Sequence, residues 1–105
     1  MLLPELRNRM ATQDDLLPQR DLIRRIAARH GATNVRVFGS VARGDARSDS
    51  DIDLLVDVGP STSPWFPGGL VADLEEALGR RVDVVTERAL TPELREHILK
   101  ESVPV

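Results

Sequence analysis

Between positions 35 and 56 the chain reads Val-Arg-Val-Phe-Gly-Ser-Val-Ala-Arg-Gly-Asp-Ala-Arg-Ser-Asp-Ser-Asp-Ile-Asp-Leu-Leu-Val. Gly39-Ser40 is followed by ten residues and then Asp51-Ile52-Asp53. In an extended strand alternate side chains share a face, so Asp51 and Asp53 point one way while Ile52, Leu54 and Val56 point the other. Two carboxylates on one strand face repel unless a cation sits between them. Hard oxygen ligands of this kind suit Mg²⁺, which keeps several waters and takes further ligands from substrate phosphates. The Gly-Ser turn supplies a complementary seat. Glycine lets the backbone approach a phosphate, and the N–H groups at the start of a following helix favour anions. Alone, Gly-Ser is an ordinary turn and Asp-x-Asp an ordinary strand edge. Together they interrupt runs that are otherwise apolar, where unpaired charge is expensive.

The elements that must carry these residues are legible from pattern and punctuation. Leu22, Ile23, Ile26 and Ala27 form a helical stripe between about 18 and 30, and Gly31 stands at the position of a helix C-cap. A first strand is expected over 34–38, one helical turn over 41–45 and a second strand over 51–58. The breaker-rich segment 59–69 reads as a loop. Leu70, Leu74, Ala77 and Leu78 mark a helix ending at Gly79, and a third strand follows over 81–86. Thr91-Pro92 is an N-cap with proline at the first helical position, opening a last helix in which Leu94 and Ile98 share a face. Residues 1–18 are expected to be an N-terminal arm or short helix, and 19–105 a single domain. The expected fold is α+β, a small mixed three-stranded sheet flanked by helices.

Asp83 interrupts Arg81-Val-Asp-Val-Val85 as Asp51 and Asp53 interrupt their own strand. With the first two strands antiparallel and the third parallel to the second, all three aspartates converge beside the Gly-Ser turn. An exposed edge-strand aspartate is the rival reading for Asp83.

Gly39-Ser40 and Asp51-x-Asp53 at this spacing, with Arg43-Gly44 and Ser50 between them, resemble the nucleotidyltransferase superfamily of DNA polymerase β. The short chain and the wording of the motif resemble its minimal nucleotidyltransferase (MNT) branch, whose members pair with HEPN-domain proteins in toxin–antitoxin modules. The resemblance covers about residues 20–103. It implies the nucleotidyltransferase fold and attack of an acceptor hydroxyl on the α-phosphate of a nucleoside triphosphate, with release of pyrophosphate. It further implies two Mg²⁺ ions about 3.5–4 Å apart, bridged by Asp51 and Asp53, with Asp83 on the acceptor side. Gly39, Ser40, Arg43 and Ser50 would then serve the nucleotide, ATP being the expected substrate. Arg47 is a second guanidinium that could offset charge on pyrophosphate. The implied acceptor is a tyrosine of a HEPN toxin, silenced by AMPylation. A non-catalytic antitoxin acting by occlusion and a small-molecule nucleotidyltransferase are the alternatives.

Composition bounds these readings. The chain has 105 residues, 41% hydrophobic and 30% charged, as expected of one small domain. A net charge of −3 argues against a broad nucleic-acid footprint. There is no cysteine, so neither disulfides nor thiolate zinc are available. No stretch is apolar enough to span a membrane and no signal peptide is recognisable, so a cytoplasmic location is expected. His30 and His97 lack ligand-spaced partners, and Asp45, Asp49 and Asp57 read as loop or strand-end carboxylates. A domain of this size has little room for an acceptor pocket. The face around the Gly-Ser turn and the Trp65-Phe66 loop is therefore expected to meet a partner.

Overall fold

The computed structural model describes residues 16, 18–47 and 50–105; the expected arm over 1–18 lies largely outside them. Helix α1 (Arg20–Arg29) leads into β1 (Ala32–Phe38), the short α2 (Gly39–Arg43) and β2 (Ile52–Val58). Then come α3 (Gly68–Leu78), β3 (Val82–Thr86), a 3₁₀ turn at Glu87–Ala89, α4 (Pro92–Glu101) and β4 (Val103–Pro104).

The strands form one sheet in the order β3-β2-β1-β4. β1 is antiparallel to both β2 and β4, and β3 is parallel to β2. Parallel pairing needs a crossover connection, and α3 provides it. The sheet is thus mixed, as expected, with a fourth strand beyond the expected three. That strand has two residues, one of them Pro104, and is too short to carry a period-2 pattern.

Alternation assigns the two faces different work. Val35, Val37, Ile52, Leu54, Val56, Val82 and Val84 pack with Ile23, Ile26 and Ala27 of α1 and Leu70 and Leu74 of α3 in one core that also includes Leu16. Each large aliphatic side chain buried there contributes roughly 1.5–3 kcal/mol relative to exposure. The opposite face carries Arg36, Asp53, Asp57 and Asp83, so the polar residues collect where α1 and α3 do not cover the sheet. Arg36 donates to Asp57 at 2.8 Å and lies 3.5 Å from Glu87. Asp57, a strand-end carboxylate as expected, therefore has a structural partner.

The loop after β2 is tied to the opposite end of β1 from Gly39. Gly59 N–H donates to Gly31 O at 2.9 Å and Ser63 N–H to His30 O at 3.2 Å. The His30 ring bridges Ser63 Oγ at 2.6 Å and Asp73 Oδ2 at 2.7 Å, fastening the loop to α3. Phe66 packs against the core, whereas Trp65 is 90% exposed. Seven residues of β1 separate the two ends, about 20 Å of extended chain. The Gly-Ser turn and the Trp65 loop therefore do not form one surface, contrary to the expectation that a partner would meet both together. The loop is held at the β1 start by backbone hydrogen bonds that composition alone does not reveal.

In α4, Thr91 caps the helix as expected, its Oγ1 accepting from Leu94 N–H at 3.4 Å. Leu94 and Ile98, four residues apart, share a face of this helix as expected, but are unequally buried. Ile98 is buried while Leu94 is 52% exposed, because only the C-terminal half of α4 rests on the rest of the domain.

Candidate active site

The Gly-Ser turn is built by the end of β1. Phe38 is extended and pairs in register with Asp53, and Gly39 then turns at φ +74° into α2. A Cβ at position 39 would collide with Asp53 Oδ2 and lie 3.3 Å from its Cγ. Both the left-handed backbone and the close approach of a carboxylate therefore require glycine. The two halves of the motif, ten residues apart in sequence, touch in space.

Asp53 and Asp83 are register partners in adjacent parallel strands, with Ile52 beside Val82 and Leu54 beside Val84. Neighbouring strands lie about 4.8 Å apart and paired residues share a face, so the two carboxylates emerge side by side. Asp51 immediately precedes β2 and is exposed, as is Asp83, whereas Asp53 is half-buried. Burial, followed by the negative fields of Asp83 and Asp51, pushes the Asp53 carboxyl above its ordinary value, and the Arg43 guanidinium opposes that push. Among the described residues no three His, Cys, Asp or Glu side chains form a metal-holding group on their own. The arrangement still fits a hard divalent cation. Its donors are all carboxylate oxygens, its charge is only partly offset by Arg43, and Mg²⁺ typically takes only one or two carboxylates alongside waters and phosphates.

The charge that Arg43 leaves unbalanced should cost stability. A carboxyl raised on folding stabilises the protein only while protonated, and that contribution is lost as pH rises through the folded value. Asp53→Asn, without nucleotide or metal, should therefore unfold at a higher temperature than wild type at neutral pH. The gain should shrink as pH falls toward the ordinary carboxyl value of 3.8. Thermal melts across that range check it, and a lower midpoint at neutral pH would contradict the electrostatic account.

The remaining expected residues are distributed as follows. Ser40 occupies the first turn of α2, next to Gly39. Arg43, half exposed, lies 3.4 Å from Asp45 and 3.4 Å from Glu101. Ser50 Oγ accepts from Arg47 N–H at 2.9 Å, shaping the loop before Asp51. Arg47 is exposed, and Asp49 lies outside the described residues. His97 is 71% exposed, 3.6 Å from Glu101.

Two further residues join the site without having been singled out in the sequence. Arg80 donates to Ser50 O at 2.6 Å and to Arg47 O at 3.4 Å, steadying the chain just ahead of Asp51. Glu101 Oε1 accepts from Gly39 N–H at 2.7 Å. The one sequence signal for Glu101 is its position, an acid at a helix C-terminus where the macrodipole disfavours it.

Residues 20–105 match the nucleotidyltransferase domain family. The chain is 40% identical over 77 residues to the protein adenylyltransferase MntA of Thermococcus cleftensis, covering 73% of this chain and 78% of that protein. It is 41% identical over 80 residues to a provisionally named protein adenylyltransferase of Methanocaldococcus jannaschii, covering 76% and 86% respectively. A solved structure of a provisionally named minimal nucleotidyltransferase superposes with a TM-score of 0.78 at 48% identity, over 90% of this chain and 96% of that one. A toxin–antitoxin structure with AMP-PNP shares the fold at a TM-score of 0.63 and 24% identity, covering 80% of this chain and 66% of that one. With Asp53 set against the Gly39 turn and beside Asp83, and with these likenesses along most of its length, the chain belongs to the nucleotidyltransferase domain family, in its minimal branch, and is a nucleotidyltransferase enzyme.

Proposed function

We propose that the protein transfers AMP from ATP to a tyrosine hydroxyl of a HEPN-domain toxin and so acts as its antitoxin in the cytoplasm. The observation that carries this reading is the contact of the Asp53 carboxylate with the Gly39 turn, beside Asp83. It supports a cation site on the aspartates next to a phosphate site on the turn. The names of the relatives support protein as the acceptor class, since both are adenylyltransferases of protein. The exposure of Asp51 and Asp83 leaves that side of the site open to a macromolecular acceptor. Among the described residues no helix is long and apolar enough to cross a membrane.

Asp51 and Asp53 would hold Mg²⁺, with Asp83 completing the set on the acceptor side. Bound metal would neutralise phosphate charge and acidify the acceptor hydroxyl. Ser40 and the backbone of α2 hold the β- and γ-phosphates, and Arg43 offsets charge gathering on the leaving group. Ser50 ties the chain ahead of Asp51 to Arg47 N–H beside the nucleotide. Asp83 takes the proton of the attacking hydroxyl. The tyrosine oxygen then bonds to the α-phosphorus, the bond from that phosphorus to the β-bridging oxygen breaks, and pyrophosphate departs.

The test is to incubate the purified protein with a HEPN-domain partner, Mg²⁺ and ATP and weigh the partner by mass spectrometry. A gain of one AMP moiety on a tyrosine, with loss of the partner's ribonuclease activity, is the expected result. Silencing of the partner without any mass change would replace transfer by occlusion. Pyrophosphate release with a small alcohol but not with protein would move the acceptor to a small molecule.

A further inference from the structure

Glu101 occupies a costly position. It ends α4, where the helix macrodipole already disfavours an anion. Its negative field reaches Asp53, adding to a cluster that holds Asp51 and Asp83. Its side chain is only 16% exposed. A carboxylate set here by packing alone would lower stability with no return, which makes its contacts informative.

Those contacts lead to the phosphate half of the site. Glu101 Oε1 accepts from Gly39 N–H at 2.7 Å, and its carboxylate lies 3.4–3.5 Å from Arg43 Nη1. The placement follows from sheet register. Val103 pairs with Val37 across β4 and β1, so in an antiparallel ladder position 101 runs on to face position 39. Ser102 N–H closes the helix on Ile98 O at 2.9 Å, leaving Glu101 little freedom to withdraw. The turn at Gly39 has a left-handed backbone that α2, with five residues, is too short to fix on its own.

We propose that Glu101 is the positioning residue of the nucleotide site. Its carboxylate fixes the Gly39 amide, which sets the direction of the Ser40 and Val41 N–H groups toward the phosphates. It also holds Arg43 at the rim. A competing role would have the carboxylate occupy the phosphate seat until nucleotide displaces it. The short, charge-assisted bond and the low exposure favour the fixed role, because a displaced Glu101 would exchange its 2.7 Å bond from Gly39 N–H for the longer contacts with Arg43 and His97 alone.

The inference rests on the proposed nucleotidyl transfer, and its experiment separates the two. Mg²⁺–ATP affinity, KM for ATP, pyrophosphate release and the Gly39 amide resonance are measured in wild type, Glu101→Ala and Glu101→Gln. Glu101→Ala should weaken Mg²⁺–ATP binding by about tenfold or more, the loss expected for one charge-assisted hydrogen bond. KM should rise in step. The Gly39 amide should lose protection from exchange even without nucleotide. Glu101→Gln keeps an acceptor oxygen and should recover affinity to within about threefold of wild type. Wild-type affinity in Glu101→Ala would overturn the inference, and tighter binding would overturn it in favour of the competing role. If Glu101→Ala does not fold, Glu101→Gln decides, since a tenfold loss there would tie the effect to charge and not to the bond with Gly39. Absence of ATP binding and pyrophosphate release in wild type would instead remove the proposed function, while the Gly39 amide would still report whether Glu101 fixes the turn.

Discussion

Asp51→Asn combined with Asp53→Asn should abolish nucleotidyl transfer and, with it, the stabilisation of the protein by Mg²⁺–ATP. In wild type, ligand that binds only the folded state adds about 2.7 kcal/mol at a concentration a hundredfold above Kd. For a domain of this size each kcal/mol raises the unfolding midpoint by roughly 4–8 °C. The double variant keeps the volume of both side chains but removes two full charges, so the fold should persist while the proposed metal site is lost. Its melting curve should be nearly indifferent to Mg²⁺–ATP, and pyrophosphate release should fall by about three orders of magnitude or more, as when charge stabilisation is withdrawn from a transition state. An equal thermal shift in both proteins would show that nucleotide binds elsewhere. Asp83→Asn is the companion case. With Asp83 serving the acceptor, ATP affinity should be largely retained while turnover is lost, the signature of an interaction made mainly in the transition state.

Gly39→Ala should be nearly as damaging to transfer for a different reason. At φ +74° an L-residue costs about 1–2 kcal/mol, and the added Cβ runs into the Asp53 carboxylate. Relief requires the turn or the carboxylate to move, and either movement separates the proposed phosphate site from the proposed cation site. Gly79→Ala is the matched control. Gly79 is also left-handed, at φ +67°, but nothing lies within 4 Å of a Cβ there. Both variants should melt lower than wild type, and only Gly39→Ala should lose most of its transfer. Comparable activity in the two would mean that the Gly39–Asp53 contact is incidental.

Much of this arrangement is legible in the sequence because charge interrupts apolar strands at only a few places. Asp53 and Asp83 stand out against Ile52, Leu54, Val82 and Val84, and alternation alone puts them on the face that the core does not use. The Thr91-Pro92 start of α4 is equally plain, since cap chemistry is local. What stays hidden depends on register and distant partners. β4 has too few residues to show a period. Glu101 reads as one more acid on a solvated helix until β4 pairs with β1 and brings it to Gly39. Arg80 looks like a loop arginine after a helix-ending glycine, yet it binds the carbonyl ahead of Asp51. Trp65 is conspicuous in the sequence and lies at the end of the sheet away from the aspartates, a placement fixed by hydrogen bonds to His30 and Gly31.

The ladder between β2 and β3 has a consequence for how such an enzyme can vary. The separation of the Asp53 and Asp83 backbones is set by main-chain hydrogen bonding within a sheet, the stiffest spacing a protein offers. The segments that precede Asp51 and follow β2, over 44–50 and 59–67, end outside that ladder. Insertions there can reshape the approach to the site or the far end of the domain without moving the two carboxylates apart. A carboxylate pair anchored in this way leaves the loops around it free to diversify while its own spacing stays in place.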